Sequence, residues 1–149
     1  MTDSQTKPPL RLDLRTAMGD PTHTPRHAIP DEATLRTRLM AHEIRLGDYW
    51  FLRGYRHYLD RDFAGAVEAL NVCLLHDPGR AEAHFHKGVA LQLLGLGEAE
   101  GYPGFPAHVP ARAHALLLKA RWAFQVVLDI NPADEEARTY LAGLEALLR

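Results

Sequence analysis

Two glycines, Gly54 and Gly88, each stand inside a stretch whose neighbours favour helix, and they lie 34 residues apart. Around the first, "DYWFLRGYRHYLDRDFAGAVEALNVCLLHDP" runs from Asp48 to Pro78. A glycine in a helix interior costs about 1 kcal/mol relative to alanine, so a tertiary contact must offset it. Lacking a side chain, it lets a neighbouring backbone come close, and the small Ala66 suits the same crossing. Trp50 then fills the space beside that contact, opposite Leu70 and Cys73. These residues describe two antiparallel helices packed at short distance, an αα-hairpin.

The layout recurs. "AEAHFHKGVALQLLG" places Gly88 in the register of Gly54, and Ala120, Phe124, Val127 and Pro132 repeat the spacing of Ala66, Leu70, Cys73 and Pro78. The second set lies 54 residues after the first rather than 34, which calls for about 20 extra residues between the two helices of the second hairpin. "GEAEGYPGFPAHVP" sits at that point, and its prolines and glycines are incompatible with continuous helix.

On these residues the chain resembles the tetratricopeptide repeat, a 34-residue helix–turn–helix unit with W-x2-L-G-x2-Y, then A-x3-F, then P. The first unit matches at Trp50, Gly54, Ala66, Leu70 (conservatively) and Pro78, and departs at Arg53 and His57. The second matches at Gly88, Ala120, Phe124 and Pro132, and departs at His84, Lys87 and Leu91. The resemblance covers about residues 47–149 and implies an all-α fold, with TPR-like αα-hairpins forming a short right-handed solenoid. The segments are then a flexible or extended arm over 1–30, a leading or capping helix over 31–46, and repeats over 47–80 and 81–133. An insert occupies about 96–110, and a capping helix closes the chain over 134–149. The leading helix, with Asp31 as N-cap, covers the apolar face that two repeats leave open. In the arm, Leu10, Leu12 and Leu14 alternate with charged residues, a period of two that gives an extended segment one apolar edge.

Composition narrows the function. The net charge is −2, so no global field draws the chain to nucleic acid or to an anionic membrane. No apolar run approaches the roughly 18–20 residues that span a bilayer. The polar start of the chain is unlike a secretory leader, and a single cysteine fits a reducing compartment. A cytoplasmic location is the expectation. The sequence shows no phosphate-cradling glycine loop, no zinc spacing of cysteine pairs and no nucleophile elbow. No acid, base or nucleophile set assembles from the spacing, so the expectation is a non-enzyme without cofactor. Cys73 occupies a small-residue slot on a packing helix and reads as a buried, inert thiol.

The resemblance implies that the first helix of each repeat lines a concave groove. Carried onto this chain, the groove holds Asp48, Phe51, Tyr55 and Tyr58, then Glu82, Phe85, Val89 and Gln92, and Glu136 and Thr139 on the last helix. The family's carboxylate-clamp members place Lys and Asn in this groove. Phe51, Tyr55, Phe85 and Val89 stand at those positions here, so an acidic C-terminal tail is not the expected ligand. An aromatic surface with acidic helix starts suits an apolar or basic peptide. Packing of the arm or the insert into the same groove is the competing use, and Tyr102, Phe105 and Val109 give the insert apolar side chains for it.

The expected function is a non-catalytic adaptor or scaffold that binds a protein segment in the aromatic groove. Two alternatives stay open. One is a metal- or ligand-responsive regulator built on His84, His86, His108 and His114, four of nine histidines. The other is a structural subunit that oligomerises through its repeat ends. His84 and His86 are two apart on a helix and point about 200° from each other, a poor arrangement for one metal ion.

Overall fold

The structure, a computed structural model, describes residues 29–149. Six α-helices follow in order: α1 Glu32–Met40, α2 Leu46–Leu59, α3 Phe63–His76, α4 Ala81–Ala99, α5 Ala111–Ile130 and α6 Glu135–Leu147. Among the described residues there is no strand, and no helix is long and apolar enough to cross a membrane. The arm, with Leu10, Leu12 and Leu14, lies outside them up to residue 28. Consecutive helices pack against one another, and α2 also touches α4.

Aspartates set several helix starts. The carboxylates of Asp31, Asp62 and Asp134 accept from the backbone N–H of Thr34, Gly65 and Ala137 at 2.8, 3.0 and 3.0 Å. Each satisfies one amide that the first helical turn leaves unpaired. The leading helix is shorter than the expected 31–46. It stops at Met40 because His42 takes a left-handed backbone, φ 61°, which no α-helix continues. Ile44 then turns back onto a small cluster of Leu35, Tyr49 and Leu52, which fixes α1 against α2.

Both glycine notches lie against a neighbouring helix. A Cβ built on Gly54 would stand 2.8 Å from Leu70 Cγ, and one on Gly88 would stand 2.9 Å from Phe124 Cζ. Leu70 and Phe124 occupy matching places in the two hairpins, so one contact is made twice. Trp50 is half-buried beside the first notch, with the Arg53 guanidinium 4.7 Å from its ring centroid.

Most of the extra length of the second hairpin is helix, whereas the insert expected at about 96–110 is itself helical only as far as Ala99. Relative to α2 beyond Gly54, α4 runs six residues further beyond Gly88. Helix α5 likewise begins six residues earlier before Ala120 than α3 does before Ala66. Eight residues remain to enlarge the turn. The second hairpin is thus lengthened by nearly two turns, about 9 Å at 1.5 Å per residue. Gly95, inside α4, forms a further notch: its Cβ would meet Leu117 Cδ2 at 2.8 Å. Of the apolar insert residues, Val109 packs on the main core, Phe105 is half-buried and Tyr102 is exposed.

The largest core cluster joins α2, α4, α5 and α6 through Tyr55, Tyr58, Phe85, Leu117, Phe124 and Leu144. A second one, of Phe51, Leu70, Cys73 and Ala83, lies under the first hairpin. Burial pushes the Cys73 thiol up to about 11, which leaves almost no thiolate near neutral pH. Native protein at pH 8 is therefore expected to react with a disulfide reagent at least about a hundredfold more slowly than unfolded chain. A stopped-flow comparison with and without denaturant measures it, and equal rates would refute the burial.

Candidate functional site

The ten residues expected to line one groove fall on α2, α4 and α6, and they share neither exposure nor role. Phe51, Tyr55, Tyr58, Phe85 and Val89 are all buried, none more than 3% exposed. In this structure the aromatic row is buried rather than open to solvent. Tyr55 and Tyr58 stack at 5.5 Å, and Phe51 stacks on Tyr55 at 6.5 Å. Further along, Phe124 stacks on Tyr140 at 5.2 Å, and Phe85 meets both rings edge-on at 5.6 Å. Such pairs add about 0.5–1.5 kcal/mol each beyond the area they bury.

His86 completes the row and was not among the groove residues expected from spacing. Its ring is fully buried, with centroids 4.8 Å from Tyr55, 4.9 Å from Tyr58 and 5.5 Å from Phe85. The signal lay in its place beside Phe85, but helical spacing alone assigns 86 to a different face. His84 points elsewhere, its Nε2 donating to the carbonyl of Pro78 at 2.9 Å. The two imidazoles diverge as a two-residue step on a helix demands. His108 is exposed and His114 half-buried, and no group of three or more His, Cys, Asp or Glu that could hold a metal ion exists among the described residues.

Asp48 is committed to structure. Its carboxylate accepts from the backbone N–H of Arg45 at 3.1 Å and makes a short ion pair with Arg80. Arg80 also holds Asp77 at 2.9 Å and lies 5.0 Å from the Phe51 ring centroid. Burial pushes the Asp48 carboxyl up, but the Arg80 hydrogen bond, with help from Arg45, holds it below the usual carboxylate range. This half-buried bridge ties the start of α2 to the start of α4. It braces the two helices against each other.

The remaining expected residues, termed the rim below, are more open to solvent. Glu82 and Gln92 are half-buried, and Glu136 and Thr139 are exposed. The Thr139 hydroxyl donates to the Glu135 carbonyl at 3.0 Å within its own helix. Tyr140, behind Glu136, has its phenol pushed up to about 12 by burial and by that carboxylate.

One contact that no spacing rule could supply comes from outside the helices. Ile29 is buried in the cluster that holds Tyr55, Tyr58 and Phe85, and its carbonyl accepts from Arg56 Nη1 at 3.2 Å. A recess of about 110 Å³ lies beside it, lined by Ile29, Arg56, Leu59 and Asp60.

Comparison with protein-family models, with curated proteins and with solved structures gave no match.

Proposed function

We propose that this chain is a short helical-repeat module of the tetratricopeptide kind, which holds a segment of another protein along α2, α4 and α6 and carries out no catalysis. The repeat reading is supported by the twin notches, Gly54 on Leu70 and Gly88 on Phe124, at matching places in two hairpins of unequal length. The observation that carries the binding reading is Ile29. A residue outside any helix buries its side chain in the tyrosine cluster while an arginine on α2 holds its carbonyl. That is how a groove grips an extended peptide, with an apolar anchor for affinity and a main-chain hydrogen bond for register.

The rim, with Glu82 and Glu136, gives the partner a basic or apolar character. Affinity capture with the full chain tests this, set against a Glu82→Lys/Glu136→Lys double variant whose melting curve serves as the folding control. At least one specifically captured protein is expected to be lost, about tenfold or more, when the rim charge is reversed. Equal capture by native and reversed chains, or capture of nothing by either, would overturn the reading.

A further inference from the structure

The opposite side of α4 carries a second groove. Helices α3 and α5 both pack on α4, and between them lies an open cleft of about 300 Å³. Leu91 and Val67 provide apolar surface in it, Asn71 and Lys119 are exposed along it, Lys87 is half-buried in it, and Trp122 stands at its edge, 59% exposed. Lys87 and Leu91 follow Phe85 and Val89 by two positions along α4, so they lie about 200° around the helix from the aromatic row.

The amines are the unexpected part. The chain uses fourteen arginines and only three lysines, yet two of those lysines line this one cleft. Among the described residues neither Lys87 nor Lys119 makes an ion pair. Burial lowers the Lys87 ammonium from its ordinary range, and the charge of Lys119 lowers it further. Two like charges on an apolar floor, with no counter-charge, repel each other and are relieved by an anion placed between them.

We propose that this cleft is a second docking site, which takes an acidic segment of a partner protein with one carboxylate at Lys87 and Lys119 and a neighbouring apolar side chain against Trp122 and Leu91. The volume is at the lower end of ligand clefts, about 300–1,000 Å³, and so fits one or two side chains rather than a large cofactor. An exposed tryptophan is a side chain enriched at the centre of protein interfaces. Asn71, on the α3 bank, supplies an amide for the segment's backbone. This site is separate from the aromatic row and selects the opposite charge.

The small number of lysines makes the test direct. Reductive methylation with ¹³C-formaldehyde keeps their charge and labels Lys7, Lys87 and Lys119 in the full chain, each signal assigned with its Lys→Arg variant. The probe is an acetylated, amidated eight-residue peptide with three glutamates and one phenylalanine. The Lys87 and Lys119 signals are expected to move together and saturably, with Lys7 unmoved. Lys119→Gln, at an exposed position, should weaken binding about tenfold, as should Lys87→Gln. The rim variant Glu82→Lys/Glu136→Lys should leave this titration unchanged, which separates the fate of this site from that of the aromatic row.

Several results would overturn the proposal. They are no shift at millimolar peptide, equal binding of a peptide with glutamine in place of glutamate, and a Lys7 shift as large as the others. The same shifts from inorganic phosphate at equal concentration would reduce the cleft to a simple anion site. Concentration-dependent shifts without peptide would assign it to a second copy of this chain.

Discussion

Replacing Phe85 by alanine is expected to lower the stability of the full chain by about 3–5 kcal/mol, with a similar loss for Tyr55→Ala. Both side chains are fully buried. Phe85 touches the rings of Phe124 and Tyr140, so its removal opens a cavity where α4, α5 and α6 meet. Tyr55 loses its stack on Tyr58 and its edge contact with His86. Domains of this size are stable by about 5–15 kcal/mol, so the double variant should be largely unfolded at 37 °C. The two losses need not add, because both residues border His86. Urea denaturation followed by circular dichroism reads the effect. A loss below about 1 kcal/mol for either single variant would mean that the ring is a surface group after all. The practical consequence concerns binding studies. Truncating these aromatics cannot separate recognition from folding, which is why the rim glutamates carry the functional test.

The glycines give the second large effect, and it is one of sign. Gly143→Ala, in α6, is expected to stabilise the chain by about 1 kcal/mol, because a helix interior prefers alanine and no atom lies within 4 Å of the new methyl. Gly54→Ala and Gly88→Ala gain the same preference but should destabilise by about 1–2 kcal/mol net, since overpacking a core costs about 1–3 kcal/mol. At Gly88 the obstacle is stiff. The methyl would stand 2.9–3.1 Å from three atoms of the Phe124 ring, which is held in turn by Tyr140 and Phe85. At Gly54 it would meet Leu70 Cγ and Cδ2 at 2.8 and 2.9 Å, and Cγ cannot swing away as a chain end does. Parallel thermal melts of the three variants measure the contrast. Stabilisation at all three positions would remove the notch as an organising contact.

Much of the architecture was legible because helix signals are local. The cap at Asp31, the breaks at Asp77-Pro78 and Asn131-Pro132 and the 34-residue return of the notch all read directly from neighbouring residues. The end of α1 was not legible, because nothing in "MAHEIRLG" forbids a further turn and only the left-handed His42 stops it. Nor was the run of α4 through Gly95. A glycine near a helix end reads as a stop until a partner, here Leu117, gives it a packing role.

The residues along one side of α2 and α4 were specified by a 3.6-residue period, and the order of those side chains is a property of the chain alone. Whether that side faces water or fills a core is not, because the same period serves both. Burial depends on what lies opposite: His86 and Ile29 meet the α2 tyrosines, and Tyr140 meets Phe85. The paired lysines follow the same rule. Lys87 and Lys119 are 32 residues apart, and only the packing of α5 on α4 puts two like charges into one cleft beside Trp122. Local sequence sets which groups share a helix face, while long-range packing sets the dielectric and the neighbours those groups meet.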